Sequence, residues 1–415
     1  MATKWTKYKL SEITSKLGDG LHGTPKYDDS GEYYFVNGNN LDNGKIVIKS
    51  DTKKVNYTEF EKYKKELNDR TILLSINGTL GNIAYYNNEK IILGKSACYF
   101  NLNNDFSKDF VRYVMSTNNF KIFLENFATG ATIKNVSLEA MRNFEFEAPK
   151  KEIQDKIAKI LSNYDDLIEN NNKRIKILEE MAQKIYKEWF VDFRFPNYET
   201  ATFKQTDSGK IPSDWKNCKL KNICSAIFSG GTPSTTIDEY WNGNLHWLSS
   251  GETSNKYIID TQKTITELAV NKSSTRLAKK DDIVIASAGQ GKTRGQVAYC
   301  FIDTFINQSV ISMRSVEKID YSKFVFFNLL SRYDELRLLS DSSSSRGSLT
   351  VKIMEDINIL LPNDDILLKF NKIAKTILEL IQKLRIKQQY LKQTRDLLLP
   401  RLISGEIDVE NLEIV

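Results

Sequence analysis

The segment whose spacing comes nearest to a catalytic motif is residues 286–293, Ala-Ser-Ala-Gly-Gln-Gly-Lys-Thr. It departs from a phosphate-binding P-loop at one residue, because Ala286 stands where the first glycine belongs. A P-loop also needs a helix directly after it, so that the N–H groups at the helix N-terminus face the phosphates. Residues 294–301, Arg-Gly-Gln-Val-Ala-Tyr-Cys-Phe, predict a turn and a strand instead. We therefore do not predict nucleotide binding here.

Polar side chains of another kind are concentrated in short loops of both halves of the chain. Asn, Gln, Ser, Thr, Lys and Arg can hydrogen-bond to base edges and phosphates, and neighbouring glycines permit a close backbone approach. The candidates in the first half are Thr24, Lys26, Asn37, Asn39, Asn77, Thr79, Lys95 and Lys134. The candidates in the second half are Thr232, Ser249, Ser250, Gln290, Lys292, Thr293, Arg294, Gln308 and Arg346. Any one of them would also suit a solvated loop, but together they predict DNA binding.

Residues for other chemistry are few. The only histidines are His22 and His246, and the sequence has no Ser/His/Asp set, no HExxH motif and no glycine loop for a methyl donor. The acidic pairs at 165–166 and 364–365 fall on predicted helices, and we expect them to be solvated. The four cysteines, at 98, 218, 224 and 300, show no CxxC spacing and predict reduced thiols rather than a zinc site. The chain is therefore predicted to catalyse nothing.

The bulk properties are those of an ordinary globular protein with a mildly basic charge. Hydrophobic residues make up 40% of the 415 residues and charged residues 27%, and the formal net charge is +6. This charge permits DNA binding without requiring it. No run approaches the ~20 apolar residues of a membrane span, and the N-terminus has no apolar signal core. A cytoplasmic location is predicted.

The chain repeats itself at an offset of about half its length. The segment that begins at Pro149 has a counterpart at Pro362, and the Trp-x-x-x-x-Leu segment at Trp5 recurs at Trp215. The tripeptide Gly-Thr-Pro also occurs once in each half. We predict two similar globular domains, each followed by a helical spacer. The predicted boundaries are 1–148 for the first domain, 149–198 for the first spacer, 199–361 for the second domain, and 362–415 for the second spacer and tail.

Both spacers carry a heptad pattern, with seam residues at alternating steps of four and three. The predicted first seam is Ile153, Ile157, Ile160, Tyr164, Leu167, Asn171, Arg174, Leu178, Met181 and Ile185. The predicted second seam is Ile366, Phe370, Ile373, Ile377, Leu380, Leu384, Lys387, Leu391, Thr394 and Leu398. A lone helix about 38 residues long would leave this stripe in water, so we expect the two helices to pair. A pseudo-twofold axis relating the two halves of the internal repeat would make them antiparallel. Asn171, Arg174 and Lys387 either lie buried and fix the register or extend from the edge of the seam.

The two globular domains are predicted to share one mixed fold. Residues 33–41 and 245–253 each read as a strand that opens into a polar loop, and so do residues 71–78 and 282–289. A short helix follows in each half, and then another polar loop. The predicted fold class is α+β, with two β-rich domains separated by two long helices that form an antiparallel coiled coil.

Two segments that end the predicted helices are distinctive: residues 189–196, Trp-Phe-Val-Asp-Phe-Arg-Phe-Pro, and residues 398–407, Leu-Leu-Pro-Arg-Leu-Ile-Ser-Gly-Glu-Ile. Together with the repeated domain openings, they make the chain resemble the specificity (S) subunit of Type I restriction-modification systems. The resemblance implies two target-recognition domains, each of which reads half of a bipartite double-stranded DNA sequence through the major groove. It also implies helices that set the spacer length and dock two methyltransferase subunits, with two restriction/translocase subunits outside. No cofactor is expected on this chain, because the methyl donor and ATP belong to those partners.

Three other interpretations remain open from the sequence. The chain could serve a complex that only methylates DNA, since the nuclease is a separate polypeptide. It could be a protein-interaction scaffold, which predicts no salt-sensitive DNA binding. It could be an NTP-dependent enzyme that uses Lys292 and Thr293, in which case substitution of Lys292 would abolish ATP binding by the isolated chain.

Overall fold

A computed structural model describes residues 5–42, 44–207, 209–343 and 347–413. The chain divides into two compact units. The first unit comprises Met1–Ile168 with Tyr390–Val415, and the second comprises Glu169–Gln389. Each unit therefore contains one stretch of each of two long helices, together with its own β-rich part.

The β-rich part of the first unit precedes the first long helix. Its strands are β1 (Thr6–Lys9), β2 (Thr14–Asp19), β3 (Tyr33–Val36), β4 (Leu41–Asp42), β5 (Lys45–Ile46), β6 (Lys54–Val55), β7 (Thr71–Ser75), β8 (Ile83–Tyr85), β9 (Ile91–Leu93), β10 (Ala97–Leu102) and β11 (Glu145–Ala148). Its helices are α1 (Tyr57–Tyr63), α2 (Lys108–Ser116), α3 (Asn118–Phe127) and α4 (Leu138–Arg142).

Two sheets organise this part. The larger has the order β2-β10-β7-β8 and the smaller the order β6-β3-β9. Strands β7 and β10 are buried at every position, as expected for strands covered on both faces. Strand β1 pairs antiparallel with β11, so the start and the end of the β-rich part lie together just before the long helix begins.

The second unit repeats this plan after the first long helix, α5 (Lys151–Phe190). Its strands are β12 (Phe203–Thr206), β13 (Gly209–Pro212), β14 (Lys216–Lys219), β15 (Cys224–Ser229), β16 (Trp241–Leu248), β17 (Tyr257–Ile258), β18 (Lys263–Ile265), β19 (Arg276–Ala278), β20 (Ile283–Ala286), β21 (Val297–Cys300), β22 (Thr304–Ile306), β23 (Val310–Ser315) and β24 (Asn358–Leu361). Its helices are α6 (Glu267–Asn271), α7 (Ser322–Leu330), α8 (Tyr333–Ser343) and α9 (Val351–Asp356), and the second long helix is α10 (Asp364–Ile403).

The sheets of the second unit match those of the first. The order β15-β23-β20-β21 reproduces β2-β10-β7-β8, with β17 added at one edge. The order β18-β16-β22 reproduces β6-β3-β9, with β19 added at the other end. Strand β14 pairs with β24 as β1 pairs with β11. The predicted α+β class and the predicted internal repeat are confirmed.

The two long helices are each 40 residues long, close to the predicted length. Helix α10 begins after Asn363, whose side-chain oxygen accepts the backbone N–H of Ile366 at 2.9 Å and caps the first turn. Pro400 lies inside the last turn of α10. Because no glycine or proline interrupts either helix before that turn, the heptad pattern can run along almost the whole length.

The helices run antiparallel within each unit. In the first unit, Arg395 of α10 donates to Asp165 of α5 at 2.7 Å, and Lys156, nine residues earlier in α5, donates to the backbone oxygen of Glu410 at 2.6 Å. In the second unit, Gln388 donates to Asn172 at 2.6 Å, whereas the ring of Phe370 lies 4.9 Å from that of Phe190. In both units the partner numbers fall as the numbers along α5 rise, and in the first unit Glu410 lies just beyond the end of α10.

The predicted seam is right at some positions, such as Ile157 and Phe370, and one residue early at others. Ile168 is 7% exposed, whereas the predicted Leu167 is 45% exposed. Ala182 is 2% exposed, whereas the predicted Met181 is 49% exposed. The same displacement occurs in α10, where Ile381 is buried rather than Leu380. At these positions two adjacent apolar residues both fit the heptad pattern. Packing against the partner helix buries the second residue of each pair.

The central polar positions follow the displaced seam. Asn171 is buried, as one of the two predicted options required, but Arg174 and Lys387 are exposed. Gln388, which the sequence analysis missed, takes the seam position instead and is 4% exposed. The polar pair across the helices is therefore Gln388 with Asn172. Among the described residues, no helix is long and apolar enough to cross a membrane.

Candidate nucleic-acid interface

Five loop segments of the first unit lie side by side, and we call them the first loop group: 20–26, 37–39, 76–82, 94–96 and 128–136. The backbone N–H of Leu21 donates to Leu93 O at 2.7 Å, and the N–H of Lys95 donates back to Leu21 O at 3.0 Å. The N–H of Ile76 donates to Ser96 O at 3.0 Å, and Val136 N–H donates to Ile76 O at 2.9 Å. The group is thus tied together by backbone hydrogen bonds.

The second unit has an equivalent set, which we call the second loop group: 229–233, 248–250, 287–296, 307–309, and 340–343 together with 347–349. Gly231 N–H donates to Ile306 O at 3.1 Å, and Ser287 N–H donates to Ser309 O at 2.8 Å. Leu349 N–H donates to Ser287 O at 2.8 Å, as Val136 does to Ile76 in the first group. The two groups therefore share one hydrogen-bonding plan.

One glycine in each group makes the close approach of two segments possible. A Cβ atom on Gly20 would lie 2.1 Å from the backbone oxygen of Leu93, and one on Gly230 would lie 1.9 Å from that of Ile306. Any larger residue would push the segments apart. The requirement is the same in both halves because the loops have the same arrangement.

The predicted residues of the first half all lie in or beside the first loop group. Thr24, Lys26, Asn39, Thr79, Lys95 and Lys134 are exposed. Asn37 and Asn77 are half-buried and hold neighbouring segments. The Asn37 side-chain oxygen accepts the Ser96 hydroxyl at 2.9 Å, and the Asn77 amide donates to Asn135 at 3.1 Å. The exposed residues are available to a ligand, whereas the two asparagines also order the loops.

The predicted residues of the second half are divided in the same way. Thr232, Gln290, Lys292 and Gln308 are exposed, and Ser249, Ser250, Thr293 and Arg294 are half-buried. The Thr232 hydroxyl donates to Gln308 at 2.5 Å, and the Ser249 hydroxyl to Glu252 at 3.0 Å. Arg346 lies outside the described residues.

Arg294 is bonded inside the second loop group. Its guanidinium pairs with Asp341 and donates to Gly347 O at 3.0 Å, and its side chain is 11% exposed. These contacts join segment 287–296 to residues 340–343 and 347–349. Arg294 therefore orders the loops in this structure, whereas Lys292 lies at the surface.

Helix α8 supports segment 287–296 through two residues that the sequence analysis missed. The Tyr333 hydroxyl donates to Lys292 O at 2.9 Å, and Arg337 donates to Gly291 O at 2.9 Å. Tyr333 and Arg337 are four residues apart, so they lie on one face of the helix. This four-residue spacing of polar side chains on a helix close to a polar loop is the feature of the sequence that could have identified Tyr333 and Arg337.

Segment 287–296 follows strand β20 and leads into β21 without a helix. This confirms the predicted turn and strand and removes the structural basis for a P-loop.

All charged residues of the first loop group are basic. None of its residues is Asp or Glu, although 53 of the 415 residues in the chain are acidic. Its charged residues are Lys26, Lys95 and Lys134, which are all exposed. In the second group, Asp341 is paired with Arg294, which leaves Lys292 as an exposed cation. Such surfaces favour a polyanion.

A half-buried charged network fixes the first β-rich part to the long helices. Asp165 of α5 accepts hydrogen bonds from Arg112 at 2.9 Å, from Tyr113 at 2.6 Å and from Arg395 of α10 at 2.7 Å. Burial alone would raise the pKa of Asp165, but the bonds from Tyr113, Arg395 and Arg112 lower it overall. The expectation that the 165–166 pair is simply solvated was wrong for Asp165, because its partners come from distant parts of the sequence.

No group of three or more His, Cys, Asp or Glu residues that could hold a metal ion occurs among the residues that the structure describes. Cys98 and Cys300 are buried, and burial raises the pKa of both thiols. Burial also raises the pKa of the Cys224 thiol to about 12. Protonated thiols of this kind are poor nucleophiles.

Comparisons with known proteins agree with this two-part plan. The family model described as Type I restriction modification DNA specificity domain matches the chain twice, over residues 2–180 and 212–394. The specificity subunit of the Type I restriction enzyme MjaIX from Methanocaldococcus jannaschii is 27% identical, over 73% of this chain and 70% of that protein. The putative Type I restriction enzyme MjaX specificity subunit from the same organism is 24% identical, over 98% of this chain and 94% of that protein.

A solved structure has the same fold. The crystal structure of the S subunit of a Type I restriction-modification system from M. genitalium superposes with a TM-score of 0.62. The match covers 96% of both chains at 19% sequence identity. At that identity the superposition shows only the shared fold, and the roles of the loop residues have to be inferred from this chain itself.

Proposed function

This chain belongs to the family of Type I restriction-modification specificity subunits and carries two recognition domains, and from this premise we propose that each domain reads one half of a bipartite double-stranded DNA target. Specificity subunits recognise DNA within Type I complexes and are not themselves catalytic. We assign residues 1–148 and 199–361 to the two recognition domains. We assign residues 149–198 to the first helical spacer and residues 362–415 to the second spacer and the C-terminal tail.

The observation that carries the proposal is the repeated loop group. Both domains present five equivalent segments joined by equivalent backbone hydrogen bonds, yet the exposed side chains differ. One scaffold with two different sets of exposed groups suits two different half-sites. Each good bidentate contact to a base would supply about 1–3 kcal/mol of discrimination.

The exposed cations would supply the sequence-independent part of binding. Lys26, Lys95 and Lys134 in the first group and Lys292 in the second are placed to contact phosphates. Contacts of this kind set the register of the protein on DNA and make the affinity fall with salt. The exposed polar candidates for base contacts are Thr24, Asn39, Thr79, Thr232, Gln290 and Gln308.

We assign the partners from the same premise. Two methyltransferase subunits dock on the long helices, and two restriction/translocase subunits join outside them. The methyl donor and ATP are bound by those partners. The methyltransferase reaches its target adenine by flipping the base out of the duplex.

A reciprocal exchange of domains tests the division of labour. Replacement of residues 1–148 by the first domain of another specificity subunit should change one half of the methylated motif and leave the other half intact. Replacement of residues 199–361 is the matched control and should change only the other half. Loss of both halves in either exchange, with the complex still assembled, would contradict independent reading by the two domains.

The paired helices are proposed to fix the spacer between the half-sites. One helical turn inserted after Asn171, with a matching turn beside Gln388, adds about 6 Å at ~1.5 Å per residue. B-DNA rises ~3.4 Å per base pair, so the spacer should lengthen by about one to two base pairs. An unchanged spacer in the methylated motif would remove this role for the helices.

A further inference from the structure

We propose that Ile133, at the tip of segment 128–136, reads the C5-methyl group of a thymine in the half-site bound by the first domain. The proposal rests on the proposed function and names one base contact within it. Among the residues of the first loop group, Ile133 is an aliphatic side chain with 61% of its surface exposed. Its neighbours Thr132 and Lys134 are polar and exposed.

The base of this loop is closed by hydrogen bonds on both sides. Thr129 N–H donates to Asn135 O at 2.8 Å, and Asn135 N–H donates to Thr129 O at 2.8 Å. Gly78 N–H donates to Lys134 O at 2.9 Å and so ties the residue after Ile133 to segment 76–82. The tip is held in place although its side chains are exposed.

Gly130 fixes the turn that presents Ile133. Its φ is +97°, and a Cβ atom there would lie 2.3 Å from the backbone oxygen of Ile133. A side chain at residue 130 would therefore displace the residue that the loop presents. Because isoleucine is also branched at Cβ and restricted at χ1, little freedom remains to be lost on binding.

The chemistry of the major groove selects the partner of such a side chain. The edges of the base pairs present hydrogen-bond donors and acceptors there, and the thymine C5-methyl is the apolar group among them. An isoleucine cannot satisfy a donor or an acceptor, but it can cover a methyl group. Lys134, the next residue, is placed to hold a phosphate beside it. The expected gain from burying one methyl group is about fourfold in affinity.

The test uses the complex of this chain with its methyltransferase partner. After the methylated motif is determined, each thymine of the half-site read by the first domain is replaced in turn by deoxyuridine, which lacks only the methyl group, and dissociation constants are measured. The affinity of the wild-type complex should fall about fourfold when one particular thymine is replaced by deoxyuridine. The Ile133→Ala complex should bind thymine DNA about fourfold more weakly than wild type and lose nothing further on uracil at that position.

Ile122 provides a matched control. It is an isoleucine with 53% of its surface exposed on α3, outside the loop group, so Ile122→Ala should keep the wild-type response to uracil. A defined motif without any uracil-sensitive position in that half-site would overturn the assignment to Ile133 alone. The assignment would also be overturned if Ile133→Ala bound uracil DNA about fourfold more weakly than wild type binds uracil DNA, because that loss would not depend on the methyl group and would indicate a wedge. A complex that methylates no bipartite sequence would overturn the proposed function as well.

Discussion

Replacement of Asp165 by asparagine should loosen the first recognition domain from the long helices. The side chain receives hydrogen bonds from Arg112 and Tyr113 of α2 and from Arg395 of α10, and thus links three helices within the first unit. Asparagine keeps the shape but removes the charge, and its NH₂ group would face guanidinium donors. Arg112 would then lose the carboxylate of Asp165, and Arg395 would keep only its ion pair with Asp396.

The magnitude follows from the burial and number of these bonds. Removal of one member of a fully buried ion pair costs about 3–5 kcal/mol. The carboxylate of Asp165 is 27% exposed, so water can replace part of what is lost. We therefore expect a loss of about 2.0–2.7 kcal/mol in the free energy of local opening around α2, which is roughly a thirty- to hundredfold change in the opening equilibrium.

Hydrogen exchange followed by mass spectrometry measures this opening in the intact chain. Peptides that cover residues 108–116 should exchange about thirtyfold to a hundredfold faster in Asp165→Asn than in wild type. Asp166→Asn is the matched control, because Asp166 is the exposed neighbour with the same chemistry, and it should leave exchange unchanged. Equal protection of α2 in Asp165→Asn and Asp166→Asn would refute this reasoning.

The same network predicts a pH dependence with a definite sign. Because the pKa of Asp165 is lowered in the folded protein, its ionised form contributes stability above the unfolded pKa of about 4. That contribution is lost as the pH falls from there through the folded pKa. The difference in unfolding free energy between wild type and Asp165→Asn should stay constant from about pH 5 to pH 8 and shrink below about pH 4. A difference that grows on acidification would contradict the direction of the shift.

The remaining predictions concern the loops and the helix seam. Lys134→Ala should reduce the slope of log affinity against log salt by about 0.9, because one phosphate contact is lost, and should leave the methylated motif unchanged; an unchanged slope in salt titrations would contradict the contact. Arg337→Ala should free the backbone oxygen of Gly291 and relax specificity in the half-site read by the second domain, which methylation of near-match sites would reveal. Gln388→Leu should raise the thermal midpoint, since the seam gains an apolar residue and the exposed Asn172 can bond to water. Its expected gain is about 1 kcal/mol, and a lowered midpoint in thermal denaturation would contradict it.

The long helices show which structural features a periodic sequence pattern can predict and which it cannot. Spacing alone predicted two paired helices of nearly the observed length, because heptads and the absence of glycine and proline are local properties. It did not determine which of two adjacent apolar residues is buried. Leu167 and Ile168 have similar hydrophobicity, and only packing against the partner helix selects Ile168. For the same reason the pattern placed Lys387 in the seam, whereas the buried residue is its neighbour Gln388.

The loops show a different limit of prediction from the sequence. Their polar composition and glycines predicted where the candidate interface lies, since those features belong to short segments. The partner of Arg294 lies 47 residues away at Asp341, and no local rule indicates that pairing. Asp165 was misread for the same reason, because its donors come from α2 and from the far end of α10. Contacts between distant segments decide whether a charged residue faces a ligand or orders the protein.

Methylation sequencing of DNA from cells that carry this chain with its methyltransferase partner tests the two-domain reading most directly. We predict methylated adenines within one split motif, with two defined halves separated by a spacer of fixed length and no sequence preference. A single continuous motif, or two half-motifs methylated independently of their distance, would contradict joint reading by the two domains.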